Sequence, residues 1–185
     1  MMMEFVLGTN RQIYGCDVDV IFVLDESSSI TRKNFDLMKS FVSQLVGRLD
    51  VDSRKTLVGL VCFSNYVHIQ DAFNLNVHSS VASVQLAISE LAYDKGLTRT
   101  DTALCHVREK MLTTAAGDRP EVPNVVILLA DGHSTYPNET LVCTLAGNRL
   151  FSLSWIYVTV LCLYLGQCSV LLVSVSCPTA FSFAF

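Results

Sequence analysis

The last 36 residues contain no charged side chain, although residues 1–149 carry all 13 Lys and Arg and all 17 Asp and Glu. The character of the chain therefore changes near Leu150. Runs of Lys and Arg are also absent, and with a net charge of −4 and a pI near 5.5 this excludes a nucleic-acid surface. The seven cysteines include no Cys-x-x-Cys pair of the metal-binding type. Missing too are Gly-x-x-x-x-Gly-Lys-Ser/Thr, His-Glu-x-x-His and Gly-x-Ser-x-Gly, the marks of phosphate loops, zinc proteases and serine hydrolases. Asp131, His133 and Ser134 hold the letters of a catalytic triad, but within four consecutive residues they cannot adopt base and nucleophile geometry. The expectation is a protein that is not an enzyme. Residues 1–11 have no basic leader and no adequate apolar stretch, so they do not read as a secretory signal.

What is present is enough for one α/β domain, since 185 residues support a full core and are too few for two. Residues 18–24 form a mostly buried, β-branched strand. Thr31 is an N-cap, and Phe35, Met38, Val42, Leu45 and Leu49 follow along one helical face. Residues 56–64 read as a second buried strand. Residues 66–73 alternate, with Val67 and Ile69 inward and His68 and Gln70 outward. The link between these two runs is only about Asn65, too short for a parallel crossover, so the second run pairs antiparallel at the sheet edge. Val81, Val84, Ile88 and Leu91 mark a second helix, Leu104, Val107 and Met111 a third, residues 122–130 a further strand and residues 139–148 a fourth helix. The order implies a doubly wound, mostly parallel sheet with one antiparallel edge strand, covered on both faces. Cys62, Cys105 and Cys143 are expected as free, packed thiols, and Cys16 is a candidate disulfide half in an oxidising compartment.

Three loops carry small oxygen ligands. They are Asp25-Glu26-Ser27-Ser28-Ser29 after the first strand, Thr98 ahead of the third helix, and Asp131-Gly132 after the strand at 122–130. Singly, each has an ordinary explanation: a helix N-terminus, a capping residue, a turn. Jointly, two carboxylates and three hydroxyls at the carboxyl ends of neighbouring strands make a hard-cation site of low total charge. Such a site leaves Mg²⁺ or Mn²⁺ electrophilic enough to attract an acidic group from a partner.

Phe22-Val23-Leu24-Asp25 leading into Ser27-x-Ser29-Ile30, Val58-Gly59-Leu60-Val61-x-Phe63-Ser64, and Leu128-Leu129-Ala130-Asp131-Gly132 resemble the blocks of the von Willebrand factor type A (VWA) domain over about residues 17–148. Within that family the flavour is similar to the extracellular-matrix members such as matrilins and collagen-associated chains. The resemblance implies a Rossmann-like fold and a metal-ion-dependent adhesion site. Ser27 and Ser29 would bind the ion directly, Thr98 directly or through water, and Asp25 and Asp131 largely through water. Arg99 and His133 would stand at the rim facing a partner. Ser28 departs from the family, where glycine is frequent.

The implied function is cation-dependent adhesion to a protein presenting Asp or Glu, such as collagen or another matrix protein, in an extracellular setting. The rival readings are an intracellular VWA subunit of a metal-chelatase or transport complex, and a truncated non-functional product. Asn138-Glu139-Thr140 is a glycosylation sequon that matters only in a secreted chain. The expected organisation is a lead-in at 1–16, an incomplete VWA domain at 17–149 and the uncharged tail at 150–185. For the tail three readings stand open: residues 155–165 as a fifth strand, residues 150–173 as a membrane helix, or read-through from an intron.

Overall fold

The computed structural model describes residues 17–131 and 134–140, together with the backbone of residues 156–162. Its centre is β1 (Val18–Asp25), buried along its whole length. On one side of it lies β2 (Thr56–Phe63) and on the other β3 (Asn124–Ala130), with β4 (Ile156–Cys162) beyond β3, so the strand order is β2-β1-β3-β4. All three pairings are parallel.

A parallel strand covered on both faces needs apolar residues at both parities, and β1 supplies them. Val18, Val20, Phe22 and Leu24 pack with Phe35, Met38 and Val42 of α1 (Arg32–Val46) and Ile88 of α2 (Val81–Glu90). Ile21 and Val23 pack on the other face with Leu104 of α3 (Thr100–His106), and with Val107 and Met111 of the π-helical turn that continues it. The expected α/β class and mostly parallel sheet are thus what the chain forms. Thr31 caps α1 as anticipated, its Oγ1 accepting from Asn34 N at 3.2 Å. Gly59, in the middle of β2, lets the backbone at Phe73 approach: a Cβ there would lie 3.3 Å from Phe73 O and 3.2 Å from Met111 Cε.

The edge hairpin differs from expectation. Its antiparallel direction survives as isolated bridges, Phe63↔Val67 and Leu60↔Phe73, but residues between them turn instead of forming a strand. The alternation is consequently lost. His68 is 1% exposed and Ile69 70% exposed, the reverse of the expected parity. A period of two holds only where the backbone is extended, and here two turns intervene.

Cys105 is another correction: it is disulfide-bonded, not a free packed thiol, whereas Cys62 is free and buried as expected. Cys16 and Cys143 lie outside the described residues. So do residues 141–148 of the expected fourth helix, whose first two residues, Glu139 and Thr140, are helical together with Pro137 and Asn138. In the tail, residues 156–162 join the sheet beside β3, which supports the strand reading over those residues. Among the described residues no helix is long and apolar enough to cross a membrane.

At the amino end of β1, Asp19 is fully buried and held by Arg119, whose Nε and Nη2 donate to Asp19 Oδ1 at 2.8 and 2.6 Å and whose N donates to Oδ2 at 3.0 Å. Arg119 also ties the chain before β2, donating to Arg54 O at 3.0 Å and Lys55 O at 2.9 Å. Burial raises the Asp19 carboxyl above its usual range, more than the Arg119 bonds lower it. An Arg119→Ala change leaves that carboxylate buried and unpaired, so urea denaturation should show a loss of about 3 kcal/mol or more. A loss below about 0.5 kcal/mol, the range of ordinary surface substitutions, would show that the pair contributes little.

Candidate metal centre

The strand order reverses between β1 and β3: the chain leaves β1 for β2 on one side and enters β3 on the other. Open α/β sheets bind ligands at the carboxyl ends of strands at such a switch point. Asp25 is the last residue of β1, and Asp131 follows the last residue of β3. The two aspartates therefore meet at one crest.

A chain of short contacts runs across that crest. Ser27 N donates to Asp25 Oδ1 at 2.8 Å, Ser27 Oγ lies 3.0 Å from Ser29 Oγ, and Ser29 Oγ donates to Asp131 Oδ1 at 3.0 Å. Asp25 is fully buried, not solvent-facing as a surface adhesion loop would suggest, and its Oδ2 has no hydrogen-bond partner. A buried oxygen with unused lone pairs beside three further oxygen-bearing side chains suits a hard cation, directly or through water. Among the described residues no three His, Cys, Asp or Glu side chains gather as a metal cluster. The oxygens here come from two carboxylates and from hydroxyls, and that donor set fits Mg²⁺ or Mn²⁺ better than a soft metal.

The loop carrying Thr98 docks on the same edge. Ser28 N donates to Gly96 O at 2.9 Å, Leu97 N to Asn65 Oδ1 at 2.8 Å and Arg99 N to Ser64 O at 3.0 Å. Gly96 is required for this approach, because a Cβ there would stand 2.9 Å from both Ser64 Oγ and the Asn65 side chain. On its other side, Thr98 O accepts from Thr135 N at 2.9 Å and Thr98 N donates to Thr135 Oγ1 at 3.2 Å. Asp25, Ser27, Ser29 and Asp131 are thus brought together, with the Thr98 loop bonded to the first of these segments.

Arg99 does not reach out as a free cation. It forms a two-pronged pair with Asp101 at 2.9 and 2.7 Å, and its guanidinium sits 4.4 Å from the Tyr136 ring centre. Gly132 and His133 lie outside the described residues. Asn138 is exposed on the short helical stretch after Tyr136.

Sequence reasoning missed Glu26 and misplaced His68. Both are buried, with Glu26 Oε1 3.2 Å from His68 Nε2 and Glu26 Oε2 accepting from Asp94 N at 3.2 Å. The Oε1 contact is an ion-pair distance without hydrogen-bond alignment, so Oε1 is otherwise unsatisfied. The only signal in the sequence was the charge of Glu26 itself, directly after a strand too apolar to leave its end in water.

Burial pushes the Asp25 carboxyl up to about 6, against the lowering effect of its Ser27 bonds and with the Asp131 charge adding to the rise. Burial likewise lifts Glu26 to about 7, partly countered by the Asp94 amide. Both folded-state values lie above the unfolded ones, so the native state holds protons that the unfolded chain has released. The contribution of these two groups to stability is then fully present below about pH 4 and is lost as pH rises through 6 to 7. A cation bound at Asp25 opposes that loss by favouring the ionised carboxylate. Thermal melting in EDTA should show a midpoint that declines from about pH 5 to about pH 8, with Mn²⁺ restoring it most at the alkaline end. A flat profile in EDTA would contradict the burial of these carboxylates.

Fold and crest together define a doubly wound α/β domain with an oxygen-lined crest at its switch point. A profile of the von Willebrand factor type A domain matches residues 19–149, and the chain belongs to that family. It is 36% identical to mouse von Willebrand factor A domain-containing protein 2 over 139 residues, which is 74% of this chain and 17% of that protein. It is 34% identical to chicken matrilin-1 over 120 residues, 65% of this chain and 24% of the other. With the mouse collagen alpha-4(VI) chain the identity is 37% over 133 residues, 69% and 6% respectively. The chain therefore spans a quarter or less of the length of these relatives. Among solved structures, proximal thread matrix protein 1 from the mussel byssus superposes with a TM-score of 0.64 at 30% identity, covering 78% of this chain and 38% of that one. A further structure of the same mussel protein, described as having a zinc-occupied MIDAS motif, matches with a TM-score of 0.64 at 29% identity, with the same coverage.

Proposed function

We propose that this chain is a divalent-cation-dependent protein-binding module of the adhesive kind. The observation that carries the reading is the continuous line from Asp25, whose buried Oδ2 has no partner, through Ser27 and Ser29 to Asp131. Asp25, Ser27, Ser29, Thr98 and Asp131 would hold Mg²⁺ or Mn²⁺. Once bound, such an ion supplies an electrophilic position for a carboxylate of a partner protein. Hydroxyls contribute no charge, and with Asp25 and Asp131 acting largely through water the ion would keep an electrophilic open position that an incoming Asp or Glu completes. The occupied motif described for the mussel protein supports a cation at the equivalent crest.

Matrilin and collagen VI relatives support an extracellular-matrix setting, with matrix proteins such as collagen as partners. The disulfide at Cys105 fits an oxidising compartment, as does a glycan on the exposed Asn138. Arg99, already ordered by Asp101 and Tyr136, would serve as a fixed edge of the binding face, with His133 beside the Asp131 loop. Residues 17–149 together with β4 would form the binding unit.

Titration calorimetry with Mn²⁺ and Mg²⁺ tests the reading, alongside binding to immobilised collagen with and without EDTA. Asp25→Ala should weaken cation affinity by about 100-fold or more while leaving the EDTA melting temperature unchanged or higher, since it removes a desolvated charge. Asp131→Ala should lose affinity similarly, and Thr98→Ala by about 10-fold. Wild-type affinity in the Asp25→Ala protein would rule out this crest as the site.

A further inference from the structure

Behind the crest lies a buried polar chain that no ligand set requires. Glu26, fully buried, contacts His68, which is 1% exposed, and His68 Nε2 lies 3.0 Å from Ser64 Oγ. His68 Nδ1 stands 3.9 Å from the Asp94 carboxylate, and the imidazole stacks on Tyr66 with ring centres 4.7 Å apart. Charges and imidazoles taken out of water in this way rarely add stability. Well-packed apolar side chains of the same volume are often as good or better. A role in stability alone therefore accounts poorly for them.

Their connections suggest another role. Residues 91–99, which carry Thr98, form no helix or strand and are fixed by single bonds. Asp94 N is held by Glu26 Oε2, and Arg99 N by Ser64 O. Between these, Gly96 lies beside Ser64 with no room for a side chain, since a Cβ there would stand 2.9 Å from Ser64 Oγ. Ser64 in turn is set by His68, and His68 by Glu26. Glu26 itself is anchored by its N donating to Phe63 O at 3.0 Å, at the junction of β1 and β2. Residues 25 and 26 are thus consecutive but engaged on different sides. Asp25 bonds within the metal crest, while Glu26 bonds the loop that brings Thr98 to it.

We propose that Glu26 and His68 are positioning residues for the cation site: through Ser64 and the Asp94 amide they hold the Thr98 loop in register with the Asp25–Ser29 loop. The proposal rests on the metal-site reading above and assigns the pair no contact with the ion. Glu26→Met and His68→Leu remove the polar links at roughly conserved volume. Glu26→Gln keeps an oxygen for the Asp94 amide.

The test uses the full chain, with Mn²⁺ alone as probe in calorimetry. Melting in EDTA and hydrogen exchange over residues 94–99 accompany it. Glu26→Met and His68→Leu should melt within about 3 °C of wild type or above it. They should bind Mn²⁺ about 10- to 100-fold more weakly and exchange faster across 94–99. Glu26→Gln should recover most of the affinity. Wild-type affinity and exchange in both apolar variants, beside a wild type that binds, overturn the positioning role and leave the metal site standing. A wild type that binds no Mn²⁺ overturns both. If the apolar variants fail to fold, Glu26→Gln and His68→Gln decide. Loss of Mn²⁺ affinity confined to His68→Gln, with an unchanged melting temperature, supports the proposal, and equal affinity in both refutes it.

Discussion

Two adjacent carboxylates, Asp25 and Glu26, are withdrawn from water at the end of β1, and much of the architecture at the crest answers to that cost. An ionised carboxylate in a poorly hydrated site must find hydrogen bonds, counter-charge or a proton. Asp25 finds one amide and retains one bare oxygen; Glu26 finds one amide and one imidazole. Neither is satisfied in full by the protein alone. At Asp25 the shortfall points toward the crest, where a cation would make it good, and at Glu26 one oxygen accepts from the Asp94 amide of the Thr98 loop.

This crest stands on a rigid base. β1 contributes alternate residues to two separate apolar clusters and so cannot slide without disturbing both. Its parallel register with β3, Leu24 opposite Leu129, brings Asp25 and Asp131 within one residue of the same level, and the Asp19–Arg119 pair fastens the far end of the strand. Precision in the binding loops is therefore inherited from the sheet. By contrast, the Thr98 segment has no ladder of its own and depends on a few individual bonds to Glu26, Ser28, Asn65 and Ser64. Loops of this kind supply function where a scaffold positions them. Their dependence on single contacts makes them the natural place for a supporting side chain to tune affinity.

Much of this was legible beforehand. β1, β2, β3 and α1 follow from unbroken apolar runs and a five-residue helical face, because long, strongly periodic segments have few competing structures. The crest residues were legible because their chemistry, small oxygen donors after strands, is written in their types and order. The edge segment at 66–73 was not, since a short alternating run is compatible with turns, and the turns won. Cys105 was misread for a related reason: a cysteine on an apolar helical face looks the same free or bonded until its partner's position is known.

The sequence by itself determined the class of fold, the two-sided burial of β1 and the placement of small oxygen-bearing residues directly after β1 and β3, all of which depend on local pattern and side-chain chemistry. Tertiary structure alone decided that Asp25 is buried with an unpartnered oxygen, that His68 turns inward to Glu26, and that Arg119 closes on Asp19 across 100 positions of chain. The physical reason is the same in each case. Desolvation and pairing are properties of a polar group's surroundings, and residues distant in the chain supply those surroundings only when the fold closes.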